Sequence, residues 1–402
     1  MKSLIFIAFS LCLDHTYAYN LEQVIVNSLE KSEVEKINNS KLKALEADKV
    51  SAKSGLHPKI YFKSQITKNE NIAKSETHSI YLTQNIYKGG KDLASINLAN
   101  NSIEAISFSD KSEILNVKIN AITYFFQAFS NKLEFQNLKL LEKQSLDRVQ
   151  EIASRTKIGR SRSQELLSAK AQLASVKAQL LNAEGNYLES QKKLIDFAGV
   201  SESDFPEFDI NQSLKVFDLK RLEEALLNRP ELKNKKLKIE EQQINLDLNK
   251  RSHYPTVDLS SNYYLKERTG IYRNSSWDVA ITLSMPIYEG YSTDAKIQNS
   301  MAKNLEAELN YNSTLLSLKL DLHSKYENFK RYQNQEEAFS EALELSKKNY
   351  EESLKDYRLG LISHLDVLTS LNQYLDLKRN TEKNKVLAFM SQKILETSYE
   401  IE

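Results

Sequence analysis

Apolar and polar positions along this chain follow two different periods, and the periods come in blocks. From Lys91 to Ile158 apolar residues recur every three to four positions, as at Ile114, Val117, Ala121 and Phe125. The same holds from Tyr291 to Leu359, as at Leu315, Leu318, Leu322 and Phe329. That spacing lays them along one stripe of a helix. Neither block holds a Gly or a Pro. Each is about 70 residues, so an unbroken helix would run roughly 100 Å and must pack along its whole length.

Four shorter stretches alternate with period two. Ile60, Phe62 and Ile66 face away from Lys59, Tyr61, Lys63 and Gln65. Ile80, Leu82 and Ile86 oppose Ser79, Thr83 and Asn85. Val257, Leu259, Tyr263 and Leu265 oppose Asp258, Ser260 and Asn262. Trp277, Val279, Ile281, Leu283, Met285 and Ile287 oppose Asp278, Ala280, Thr282 and Ser284. Alternation alone suits a soluble hairpin with one buried face. Segments of about 10 residues, polar on one side and apolar on the other, equally suit transmembrane β-strands. The sequence offers no other core for these strands to cover, which favours lipid. Trp277, Tyr87 and Tyr288 then fall at strand ends, where an interfacial aromatic girdle belongs. Four strands cannot close a barrel, and an open edge cannot face lipid, so several copies must contribute strands.

The blocks are duplicated. Tyr87-Lys88-Gly89 matches Tyr288-Glu289-Gly290, and Lys157-Ile158-Gly159 matches Arg358-Leu359-Gly360. Glu165-Leu166-Leu167 matches Asp366-Val367-Leu368. Every pair is about 201 positions apart, so the chain carries two copies of one large unit. The first repeat spans residues 19–198, with a leading helix over about Leu21 to Lys53, strands 58–68 and 78–87, long helix 91–157, a turn and a returning helix. Residues 199–218 form a polar, irregular linker. The second repeat spans 219–402, with a leading helix over about Leu219 to Arg251, strands 256–266 and 275–288, long helix 292–357, a turn and a returning helix.

Composition narrows the function. Lys plus Arg number 55 and Asp plus Glu 54, a balance that argues against a nucleic-acid binder. With 9 Gly and 5 Pro the chain is short of the turns that an ordinary α/β enzyme uses. The first 18 residues read as a signal peptide: basic Lys2, apolar Leu4 to Leu13, and Ala18 before the expected cleavage. The single Cys12 lies inside that segment, so the exported chain has no thiol chemistry or disulfide. The His residues show no paired-ligand spacing, and no nucleophile elbow or phosphate loop is present. No catalytic residue, cofactor site or metal site is expected.

The order of motifs resembles the TolC family of outer-membrane efflux and secretion ducts across essentially the whole mature chain. The landmarks are Asn20-Leu21-Glu22-Gln23-Val24, Asn228-Arg229-Pro230-Glu231-Leu232 and Tyr254-Pro255-Thr256-Val257. Further ones are Pro286-Ile287-Tyr288-Glu289-Gly290 and Tyr357-Arg358-Leu359-Gly360 leading to Leu365-Asp366-Val367-Leu368. The resemblance implies a mainly α fold with a β-barrel portion, assembled as a homotrimer with a 12-stranded barrel in outer-membrane lipid. It implies a helical tunnel through the periplasm, belted by the linker. It also implies partners: a periplasmic adaptor (membrane fusion) protein and an inner-membrane pump of the RND, ABC or MFS type. The family does no chemistry and serves tripartite efflux or type I secretion.

The resemblance places a periplasmic gate at the turns before the returning helices. Asp366 maps to an acid near the three-fold axis, where three carboxylates would form a cation-attracting ring. The family's second acid is Thr369 here. Glu165 and Tyr357 map to an acid–tyrosine latch, and Ile362 stands where some members have a supporting arginine. The turns Ile158-Gly159-Arg160 and Leu359-Gly360-Leu361 map to the adaptor-docking sites. A plainer role stands beside these. Acids in a first helical turn suit the helix dipole, and Gly159 and Gly360 suit helix termini. The rival from another class is a periplasmic or surface coiled-coil scaffold or adhesin without channel activity.

Overall fold

A computed structural model describes residues 19–69, 72–159, 161–200, 206–265 and 276–399. The expected signal peptide, Arg160, linker residues 201–205 and strand positions 266 and 275 lie outside the described residues. Eight helices and four strands are described: α1 (Leu21–Lys31), α2 (Val34–Lys53), β1 (Lys59–Asn69), β2 (Ile72–Lys88), α3 (Lys91–Lys157), α4 (Ser163–Ala198), α5 (Leu219–Leu226), α6 (Pro230–Lys250), β3 (Thr256–Tyr264), β4 (Trp277–Ser284), α7 (Ser292–Leu359) and α8 (His364–Tyr399). Helices α3 and α7 have 67 and 68 residues, each filling a stretch free of helix breakers.

Each expected leading helix is two helices. The first breaks after Lys31, where Glu33 takes a positive φ of 53°. The second breaks before Pro230, which sits at the first helical position of α6, where its missing N–H costs nothing. The Asn20 landmark is a capping box. Its side chain accepts from Gln23 N at 2.9 Å, and Gln23 Oε1 accepts from Asn20 N at 3.1 Å.

The chain forms two compact units, and neither is one of the repeats. Each draws on both. One takes the described residues up to Glu33, Ile114–Ala225 and Leu320 onward. Its core holds Val24, Ile122, Phe125, Phe126, Leu194, Val386 and Phe389. Ala121 and Phe125, on the expected apolar stripe of α3, are wholly buried, as is Leu322 on that of α7. The linker is irregular yet anchored by apolar side chains. Phe208 meets Phe126 edge-on at 5.0 Å and Phe389 at 5.1 Å, and Phe217 meets Phe329 at 5.1 Å. Lys132 Nζ donates to Pro206 O at 3.2 Å, and burial pushes that ammonium's pKa down.

The other unit takes Val34–Glu113 and Leu226–Lys319. Polar side chains pin its helices together. Lys41 Nζ lies 3.1 Å from Glu113, Asn234 Nδ2 donates to Ala105 O at 2.8 Å, and Asn249 Nδ2 to Ser300 Oγ at 2.6 Å. Its sheet is antiparallel in the order β1-β2-β3-β4. The expected second strand starts earlier than 78, and the expected fourth strand stops at Ser284. Pro286 has no N–H to give to a ladder, so Met285, Ile287 and Tyr288 lie past the strand.

Candidate gate turns and apolar sheet face

The two turns before the returning helices begin alike. Gly159 has φ 71° and its N–H bonds to Thr156 O at 3.1 Å; Gly360 has φ 78° and bonds to Tyr357 O at 3.0 Å. An added Cβ would meet nothing within 4 Å at either position. The left-handed backbone is therefore what favours glycine there, not lack of room.

Beyond the glycines they differ. In the second turn Ser363 caps α8. Ser363 N donates to Asp366 Oδ2 at 2.9 Å and Ser363 Oγ donates to it at 2.7 Å, while Asp366 N donates to Ser363 Oγ at 3.3 Å. These bonds from Ser363 hold the exposed Asp366 carboxyl below the usual aspartate pKa. In the first turn the cap position of α4 is Arg162, which makes no side-chain cap bond. Glu165 instead accepts a hydrogen bond from Ser161 Oγ. A cavity of about 210 Å³ lies between the turns, lined by Arg162, Glu165, Ser168, Ser363, Leu365 and Leu368.

Tyr357 is held elsewhere. Its hydroxyl accepts from Arg155 Nη1 at 3.3 Å, and its ring lies beneath two guanidiniums, Arg148 at 4.9 Å and Arg155 at 5.1 Å from the centroid. The Tyr357 side chain thus engages cations of α3, while Glu165 engages its own turn's serine.

The sheet presents one apolar face. Phe62, Ile80, Tyr263 and Trp277 form one rung across the four strands, and Ile60, Leu82, Ser261 and Val279 the next on that face. Phe62, Ile60, Ile281 and Leu283 are all exposed. Ser261, the polar member, spends its hydroxyl on Asp278 O at 3.1 Å. The opposite face is polar and internally bonded. Tyr61 stacks with Tyr81 at 6.3 Å, Asn85 donates to Asp258 at 2.5 Å, and Asn262 and Tyr264 donate to Asp278 at 2.9 and 2.8 Å. A bulge between Asn85 and Tyr87 brings Tyr87 level with Val257 and so with Leu283. Trp277 sits six residues from Leu283, about 20 Å along the strand. Trp277 is 63% exposed, Tyr87 46% and Tyr288 73%.

No described helix is long and apolar enough to cross a membrane. Among the described residues no cluster of His, Cys, Asp and Glu could hold a metal ion.

Residues 222–385 match the family model described as outer membrane efflux protein. The fold matches solved outer-membrane channels over most of the chain. Against the Campylobacter jejuni CmeC outer membrane channel the TM-score is 0.79 at 17% identity, covering 94% of this chain and 85% of that one. Against the Vibrio cholerae outer membrane protein VceC it is 0.81 at 17% identity, covering 94% and 95%. Against the open state of the Neisseria gonorrhoeae MtrE outer membrane channel it is 0.79 at 14% identity, covering 94% and 88%. The chain has the fold of these solved channels. A search of curated proteins finds no match.

Within this fold, Ile158, Leu359 and Leu361, expected to meet an adaptor, are exposed at their turns. Three residues that sequence reasoning passed over belong to the same region: Ser363, Arg148 and Arg155. The Ser363-x-x-Asp366 spacing is a readable capping-box signal. Nothing in the sequence pairs the two arginines with Tyr357, because that contact joins residues about 200 positions apart.

Proposed function

We propose that this chain is the exit duct of a tripartite efflux or type I secretion system in the bacterial outer membrane. The observation that carries this reading is the sheet: an exposed apolar face, a polar face with its own hydrogen bonds, and two outer edges, β1 and β4. In lipid such edges are tolerable only when closed by further strands. Three copies would close a barrel with its polar face around water. Trp277, Tyr87 and Tyr288 would sit at the interfaces.

The helix turns would lie in the periplasm, where Asp366 and its copies form an acidic ring around the passage and Glu165 and Tyr357 help hold it shut. Ile158, Gly159, Arg160, Leu359, Gly360 and Leu361 would meet a periplasmic adaptor, which in turn serves an inner-membrane pump. An adaptor opens the passage only by binding the open form more tightly than the closed one.

The test is planar-bilayer conductance of the detergent-purified protein with its oligomer mass measured in parallel. A trimer carrying small, cation-selective currents supports the duct. A species soluble without detergent and silent in the bilayer overturns it and leaves a coiled-coil scaffold.

A further inference from the structure

The polar face of the sheet sorts its charges by strand. Lys59 and Lys63 stand on β1, one outer edge, and Asp278 stands on β4, the other. Lys88 on β2 and Asp258 on β3 complete the charged side chains of that face among the described residues. Lys88 is paired with Asp92 at 3.6 Å. Both β1 lysines are exposed, and their ammonium groups meet no acid among the described residues. Asp278 accepts from Asn262 at 2.9 Å and from Tyr264 at 2.8 Å, one bond on each carboxylate oxygen. Each oxygen can accept another. Within one copy β2 and β3 lie between the β1 lysines and Asp278, so these complementary edges are held about 14 Å apart.

The strand ends suggest how a second copy would join them. Through Thr83 and Ser260, Lys59 at the start of β1 is level with Ala280, yet β4 runs four residues further, to Ser284. Four residues rise about 13 Å and four strands are about 19 Å wide, a slant of about 35°. Closed barrels tilt their strands by about that much. A copy whose β1 starts level with the end of β4 sets its Lys59 against Ser284, its Lys63 against Ala280 and its Gln65 against Asp278. The offset is even, so the apolar faces also join, Ile60 beside Leu283 and Phe62 beside Ile281. Lys63 then lies diagonal to Asp278, a separation that a long side chain spans. We propose that Lys63 of one copy pairs with Asp278 of the next and sets the register of the seam between them. The proposal rests on the duct reading, which supplies the closed ring of copies. A further slip of two residues would keep the apolar faces joined but carry Lys63 opposite Thr282 and away from Asp278. Charge therefore decides a register that the apolar pattern leaves open.

The test uses the full-length chain purified in detergent, with oligomer mass and loss of trimer on heating as readouts. Lys63→Glu and Asp278→Lys should each raise the monomer fraction several-fold at a fixed temperature, and the double swap should recover most of that loss. Asp278→Lys also gives up the bonds from Asn262 and Tyr264, so cysteine pairs supply a second measure that leaves both charges in place. Tyr61→Cys with Thr282→Cys should form a disulfide between copies, whereas Tyr61→Cys with Ser284→Cys should not. Within one copy Tyr61 and Thr282 lie on opposite edge strands, too far apart to be bridged. A trimer whose double swap is no better than the single variants overturns the seam pair and leaves the duct reading standing. So does a trimer bridged through position 284 instead of 282. A monomeric wild type overturns both.

Discussion

The two turns that send the chain back are copies of one another, yet they are built differently. Both begin with a left-handed glycine, Gly159 or Gly360, because reversing a helix there needs positive φ. Three residues on, the second turn has Ser363 and the first has Arg162. Ser363 and Asp366 bond each other's backbone N–H at the start of α8, while α4 starts without a side-chain cap. Asp366 is therefore engaged by its own turn and stays anionic, the property an acidic ring needs. Glu165, its counterpart, is drawn to Ser161. The two turns share a backbone, and a few side chains give them different hydrogen bonds.

If that asymmetry is functional, Asp366→Asn should lower the preference for cations over anions several-fold in bilayer recordings, the largest effect expected. Glu165→Gln should change it little. An equal loss from both would erase the distinction between the turns. Next in size, Gly159→Ala and Gly360→Ala should each cost about 1–2 kcal/mol in local stability, since both force a Cβ into left-handed backbone. Native-state hydrogen exchange of the last turns of α3 and α7 reads this, and similar losses would confirm that the backbones are equivalent.

Smaller effects test the caps. Ser363→Ala should loosen the first turn of α8 by about 1 kcal/mol, whereas Arg162→Ser should tighten the first turn of α4 by somewhat less. Exchange of the first-turn amides separates the two. A pH series sharpens the point. The folded pKa of Asp366 is depressed by Ser363, so its contribution is complete above the unfolded aspartate value of about 3.9 and fades as pH falls through the lower folded value. First-turn exchange in α8, corrected for intrinsic pH effects, should accelerate on acidification in the wild type. It should lose that dependence in Asp366→Asn.

Much of the fold is legible in the residues alone. The stretches without Gly or Pro are α3 and α7, and the alternating stretches are β1 to β4. The break in the second leading helix is also readable, since Pro230 belongs at a helix start. The break at Glu33 is not, because nothing in Lys31-Ser32-Glu33-Val34 announces a positive φ. At the candidate site, Asp366 and the turn glycines stand out by their place in the duplication. The cations around Tyr357 do not, and family resemblance points to Glu165 where the structure supplies Arg148 and Arg155.

The sequence by itself determined what is local: helical or alternating period, element length, the left-handed turns and the twofold repetition. These follow from backbone geometry and from which face of an element must leave water. Only the tertiary structure decided that Phe208 of a polar linker docks on Phe126 and Phe389, and that residues from both repeats share each compact unit. It alone decided that an aromatic ring near the end of α7 meets two cations of α3. Such contacts join side chains far apart in the chain, and their geometry exists only once the helices have packed.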